Sequence, residues 1–113
     1  MLRIVFIDDN PDDAMLASMA LRHAGLEFDA RFAATTAELR AHLTAAPCDA
    51  VISDYNLGNA TGIDALEITR EVAADVPFIL VSGTVGDERA AEAIRKGAND
   101  YVSKEGMTRL APV

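Results

Sequence analysis

Three carboxylates, one hydroxyl and one lysine stand where apolar runs of this chain give out. Leu2-Arg3-Ile4-Val5-Phe6-Ile7 ends in Asp8-Asp9, Ala50-Val51-Ile52-Ser53 in Asp54, Phe78-Ile79-Leu80-Val81 in Ser82, and Tyr101-Val102-Ser103 in Lys104. A charge is costly to bury, so a strand this apolar releases its carboxylate at a rim. Carboxylates gathered at one rim repel one another, and a divalent cation is the simplest remedy. Oxygen donors alone select a hard ion, Mg2+ or Mn2+, of which Mg2+ keeps several waters and shares a phosphate oxygen. On this reading Asp9 and Asp54 ligate directly, Asp8 acts through a water, and Asn56 offers its backbone carbonyl. Lys104 is a compact point charge beside Asp54. The chemistry described is phosphorylation of an aspartate, with Asp54 as nucleophile and with metal and lysine neutralising the phosphoryl oxygens. Ser82 would donate a hydrogen bond to the arriving group, and Gly83 would leave room for it.

Those residues need a scaffold that brings distant strand ends together. Residues 2–7 read as the first strand, followed by a helix with Asn10 as N-cap, Pro11 at its first position and Gly25 at its end. Met15, Leu16, Met19, Ala20 and His23 recur at helical spacing on it, and Met15 and Met19 are expected to fill the core. A short strand over 28–32 precedes a second helix capped by Thr35 or Thr36, with Glu38 completing a capping box from Thr35 and Pro47 marking the end. Residues 49–54 form the third strand. Residues 57–62 are a loop by composition, and a third helix runs from Ile63 to Val72. After Pro77 come a fourth strand, a helix opened by Thr84 and Asp87 and ended by Gly97, and a fifth strand over 100–103. A last helix is expected near Met107, shortened by the end of the sequence at Val113.

Five strands alternating with helices predict a parallel sheet covered on both faces, and right-handed crossovers favour the doubly wound order 2-1-3-4-5. In that order the first and third strands are neighbours at the switch point, so Asp8, Asp9 and Asp54 meet there.

The 113 residues suffice for one domain, 1–113, and the formal net charge of −8 disfavours nucleic acid and anionic membrane surfaces as partners. One cysteine, Cys48, permits no internal disulfide, and no apolar run approaches a membrane span, so a cytoplasmic setting is expected. Asp12 and Asp13 suit the dipole of a helix N-terminus and are left out of the site. His23 and His42 have no second ligand at metal spacing. The shortened last helix suggests either that the chain is a piece of a longer protein or that the apolar surface the helix would cover is protected by another molecule, a second copy included.

At the site residues the chain resembles the receiver domains of two-component response regulators over its whole length. Asp8-Asp9 resembles the family's acidic pair, Asp54 its phosphoacceptor, Ser82 its switch hydroxyl, Tyr101 its switch aromatic and Lys104 its lysine. Asp-Asn-Pro-Asp-Asp from Asp9 and the segment around Ser82 resemble receivers attached to sensor or hybrid histidine kinases. The resemblance implies a flavodoxin-like α/β fold and a phosphoryl group taken from a histidine kinase or a histidine phosphotransfer protein. It also implies a switched face made by the fourth helix, fifth strand and fifth helix, with any output domain C-terminal to this chain. Asn56 and Thr84 would tune how fast the acyl phosphate is lost. No separate enzymatic output is implied. One departure stands out: receivers commonly carry Leu-Pro shortly after the phosphoacceptor, whereas Leu57 is followed by Gly58, which predicts a more mobile loop.

Two other classes share parts of this pattern. A haloacid-dehalogenase-like phosphohydrolase needs a second carboxylate two residues after its aspartate nucleophile, which Asn56 cannot supply. A flavodoxin-like cofactor binder needs a phosphate-cradling loop after the first strand, where Asp8-Asp9-Asn10-Pro11 would repel a phosphate.

Overall fold

The computed structural model describes residues 2–82 and 87–103. Nine elements follow in order: β1 (Leu2–Ile7), α1 (Pro11–His23), β2 (Phe28–Ala33), α2 (Thr36–Ala45), β3 (Ala50–Asp54), α3 (Gly62–Val72), β4 (Phe78–Ser82), α4 (Asp87–Arg95) and β5 (Asp100–Ser103). The strands form one sheet in the order β2-β1-β3-β4-β5, every pairing parallel, as the alternation predicts. Thr84, Lys104 and the helix expected near Met107 lie outside the described residues.

Local chemistry explains the helix starts. The Asn10 side chain accepts the Asp12 N–H at 2.9 Å, and Pro11 takes the first helical position. Thr35, rather than Thr36, caps α2, accepting the Glu38 N–H at 3.2 Å. Helix α3 begins one residue earlier than the periodicity suggests, at Gly62, because Asp64 reaches back to accept the Thr61 N–H at 2.8 Å. Asp49 falls just before β3, where its carboxylate accepts the Arg3 N–H at 2.7 Å. Beside it Cys48 is half-buried; burial first, and the Asp49 charge second, push its thiol up, which makes it a poor nucleophile.

Strand residues alternate between two apolar layers. Val5, Ile7, Val51, Phe78 and Leu80 pack with Leu39 and Leu43 of α2 and Leu66 of α3. Ile4, Phe6, Ile52 and Val81 pack on the opposite face with Ala14 and Leu21 of α1.

On α1 the structure corrects the expected core. Met15 and Met19 are 49% and 52% exposed and Leu16 is 62% exposed, so none of them fills it. The buried stripe is Ala14, Ser18 and Leu21, with Ala17 and Ala20 partly covered. Small residues let the helix lie close on β1, and the Ser18 hydroxyl is satisfied within the helix by the Met15 carbonyl at 2.8 Å. The expected stripe is offset from the true one because large apolar residues dominate a periodicity reading while the close-packed face uses alanines.

Candidate functional site

Sheet register brings the site together. Ile7 lies opposite Ser53 and Asp54 opposite Val81, so Asp8, Asp54 and the C-terminal end of β4 reach the same level at the carboxyl edge of the three central strands. Asp9 follows on the turn into α1. Carboxylate oxygens of Asp8, Asp9 and Asp54 all lie within 4.8 Å of one another. Their environments differ: Asp8 is buried, Asp54 half-buried and Asp9 exposed. Asp8 accepts the Asn10 N–H at 2.9 Å, which ties its carboxylate to the start of α1.

Behind Asp54 the scaffold is tightly built. The hydroxyl of Ser53, wholly buried, donates to the Asp54 carbonyl at 2.8 Å. The Tyr55 N–H donates to the Val81 carbonyl at 2.9 Å and extends the β3–β4 ladder one step past Asp54. A Cβ on Gly62 would stand 2.9 Å from the Asp54 carbonyl oxygen and would strike the Leu80 side chain, so α3 starts this close to the strand end only because residue 62 has no side chain.

The loop between β3 and α3 is closed by an antiparallel bridge between Asn56 and Thr61. Its hydrogen bonds come from the flanking residues, Leu57 N–H to Ala60 carbonyl at 3.0 Å and Gly62 N–H to Tyr55 carbonyl at 2.6 Å. The Asn56 carbonyl therefore plays no part in holding the loop shut. The Asn56 side chain accepts the Gly58 N–H at 3.1 Å, and Leu57 is buried beneath. Gly58, expected from the sequence to loosen this loop, has a definite conformational task in it: its φ is +77°, a region closed to proline.

Next to the carboxylates, a cavity of about 210 Å³ is bordered by Asp8, Asp13 and Asp54 and walled by Ala17 and Ala20 of α1 and by Phe6, Ile52 and Val81 of the sheet. On the far side of the site the backbone of Ser82 pairs with Ser103, and Tyr101, opposite Leu80, is half-buried against the apolar layer of α2 and α3. Of the residues the sequence nominates, Asp8, Asp9 and Asp54 are brought together, and Asn56 follows Asp54 by two residues in the loop between β3 and α3. Ser82 and Tyr101 are on the neighbouring strands, and Lys104 and Thr84 fall outside the described residues. Ser53, Gly58 and Gly62 were not nominated. The Thr61 to Asp64 spacing, a capping box, is the signal that locates the close start of α3 and with it Gly62.

A donor set made of carboxylate oxygens fits a hard divalent cation such as Mg2+, and a cation there would relieve the mutual repulsion of the three acids.

A sequence model of the response regulator receiver domain matches residues 4–111. The chain belongs to that family. Receivers are signalling domains phosphorylated on an aspartate rather than conventional enzymes, and this membership sets aside the phosphohydrolase and flavodoxin-like cofactor alternatives. Among curated relatives, the photosynthetic apparatus regulatory protein RegA of Rhodovulum sulfidophilum is 30% identical over 101 residues, spanning 89% of this chain and 54% of that protein. The response regulator protein PilR of Pseudomonas aeruginosa is 24% identical over 102 residues, spanning 90% of this chain and 22% of that one. The receiver thus spans about half of one relative and about a fifth of the other. Solved structures carry the same fold. A response regulator from Burkholderia pseudomallei with a phosphorylated aspartic acid superposes with a TM-score of 0.84 at 22% identity, covering 97% of this chain and 64% of that one. The chemotaxis protein CheY4 of Vibrio cholerae superposes with a TM-score of 0.81 at 23% identity, covering 97% and 95%. Among the described residues no helix is long and apolar enough to cross a membrane.

Proposed function

We propose that Asp54 is the phosphoacceptor of this receiver and that the phosphoryl group comes from the phosphohistidine of a histidine kinase or histidine phosphotransfer protein. The observation that carries the reading is the approach of the Asp8, Asp9 and Asp54 carboxylates to within 4.8 Å at the carboxyl edge of the sheet. Asp54 is the member of that group supplied by the central strand, with its backbone held by Ser53 and by the turn into α3.

In this account an Asp54 carboxylate oxygen attacks phosphorus in line with the donor, the phosphorus–nitrogen bond to the histidine breaks, and the imidazole leaves. Asp9, Asp54 and the Asn56 carbonyl would hold Mg2+ or Mn2+, with Asp8 acting through a water. When bound, that cation offsets the negative charge of the carboxylates and the phosphoryl oxygens. Lys104 supplies a second positive charge to the phosphoryl group, and Ser82 donates a hydrogen bond to it. Gain of that bond draws on the end of β4, and Tyr101, on the adjacent strand, follows, which changes the face built from α4, β5 and the segment after Ser103. Asn56 and Thr84 set the access of water to the acyl phosphate and so its lifetime.

The whole of 1–113 acts as this one receiver, in the cytoplasm. It works alongside an output domain C-terminal to it or a sensor kinase to which it is joined, and it can pair with a second copy. The test is transfer from a small phosphodonor in the presence of Mg2+. One phosphoryl group per chain is expected on the native protein and none on Asp54→Asn; labelling that survives this substitution removes Asp54 from the role.

A further inference from the structure

We propose that Gly58 is a positioning residue for Asp9: the missing side chain at the corner of the β3–α3 loop gives the Asp9 carboxylate its place beside Asp8 and Asp54. The inference rests on the metal-site reading above.

Three observations carry it. First, a Cβ built on Gly58 would lie 3.3 Å from Oδ2 of Asp9, tighter than ordinary side-chain contacts, so one of the two would have to give by a few tenths of an ångström. Second, the loop cannot give cheaply. It is pinned on both sides of Gly58 by the Leu57 to Ala60 and Gly62 to Tyr55 hydrogen bonds, by the Gly58 N–H to Asn56 Oδ1 bond, and by the buried Leu57 side chain. Third, Asp9 can give. It is exposed, and among the described residues no hydrogen bond or ion pair holds its carboxylate, whereas its neighbour Asp8 is buried and bonded to the Asn10 N–H. A side chain at residue 58 is therefore accommodated by movement of the Asp9 carboxylate, which shifts it from its present position relative to Asp8 and Asp54. A bare backbone at this corner leaves the exposed acid within 4.8 Å of the other two. Since ligand orientation by neighbouring groups is worth about 10- to 100-fold in metal affinity, the predicted loss is at the lower end, about tenfold.

Backbone strain has to be separated from crowding, because φ at Gly58 is +77° and alanine is strained there whatever the space. Asparagine tolerates that region but carries the same Cβ. The experiment is calorimetric titration of the unphosphorylated full chain with Mg2+ for the native protein, Gly58→Ala and Gly58→Asn. The proposal expects both variants to bind Mg2+ about tenfold more weakly than the native protein. Native-like affinity in Gly58→Asn overturns it while leaving the metal-site reading intact, and does so even if Gly58→Ala is weakened or unfolded, since strain alone would then be responsible. Failure of the native chain to bind Mg2+ overturns both.

Discussion

The carbonyl oxygen of Asp54 sits 2.9 Å from the point where a Cβ on Gly62 would stand, so the end of β3 and the first residue of α3 are in contact through backbone alone. Helix propensity would favour alanine over glycine here by less than the roughly 1 kcal/mol of a helix interior, since Gly62 is the first residue of α3 and its φ is not in the left-handed region. The contact reverses that sign. Leu80 could turn aside, but the Asp54 carbonyl is fixed by the Ser53 hydroxyl and the sheet. Gly62→Ala is expected to destabilise by about 1–3 kcal/mol, the usual range for overpacking, read as a lower urea midpoint. A stabilised variant would mean that the turn relaxes freely.

Arg70 ties three segments together at the opposite edge of the sheet. Its guanidinium donates to the carbonyls of Val76 at 2.5 Å and Gly97 at 2.8 Å and to Oδ1 of Asn99 at 2.9 Å, and Asn99 also accepts the Phe78 N–H at 2.8 Å. Arg70→Met should cost about 2 kcal/mol, because carbonyls at the starts of β4 and β5 lose a charged donor. Arg40 offers the contrast. Its 2.8 Å pair with Glu71 is exposed, and although the Arg40 hydrogen bond, then its charge, lowers the Glu71 pKa, Arg40→Met should leave the urea midpoint unchanged. Equal losses in the two variants would contradict this division.

On α1, Leu16→Gln should change stability by no more than about 0.5 kcal/mol, whereas Leu21→Ala should cost about 2–5 kcal/mol. Leu16 is exposed and Leu21 is 1% exposed in the layer with Phe6 and Phe28. Thermal unfolding of the pair distinguishes the observed face of the helix from the one that large apolar residues suggest.

Metal and charge should trade places in stability. Without metal the three close carboxylates repel, so Asp9→Asn is expected to be at least as stable as the native chain in the presence of a chelator. With Mg2+ at a hundred times its dissociation constant the native protein gains about 2.7 kcal/mol, and the variant gains far less. Differential scanning in the two buffers reads the crossing directly. A native chain with the same melting temperature in both would count against a cation at this edge.

The site was legible in the sequence where residue type and strand end coincide. Asp8, Asp9 and Asp54 each interrupt or follow an apolar run, and parallel order alone brings those runs side by side. The sheet order followed from alternation and crossover handedness in the same way. What pattern could not show is what depends on missing atoms. Nothing in Leu57-Gly58-Asn59 reveals that residue 58 turns through φ +77° against Asp9, and nothing in Thr61-Gly62 says that a backbone carbonyl lies behind Gly62, because both facts arise from chain segments meeting in space. The buried face of α1 is hard to see in the pattern for a related reason: Ala14, Ala17 and Ala20 carry little hydrophobic signal, yet their size lets the helix lie on the sheet.

The central claim is that Asp54 carries the phosphoryl group, and the most direct measurement is its location. After reaction with a small phosphodonor and Mg2+, borohydride reduction converts a phosphorylated aspartate to homoserine, and peptide sequencing by mass spectrometry finds the position. The account predicts homoserine at residue 54 alone, dependent on the metal. Homoserine at Asp8, Asp9 or any other aspartate, or none anywhere from a chain that has taken up phosphate, would contradict it.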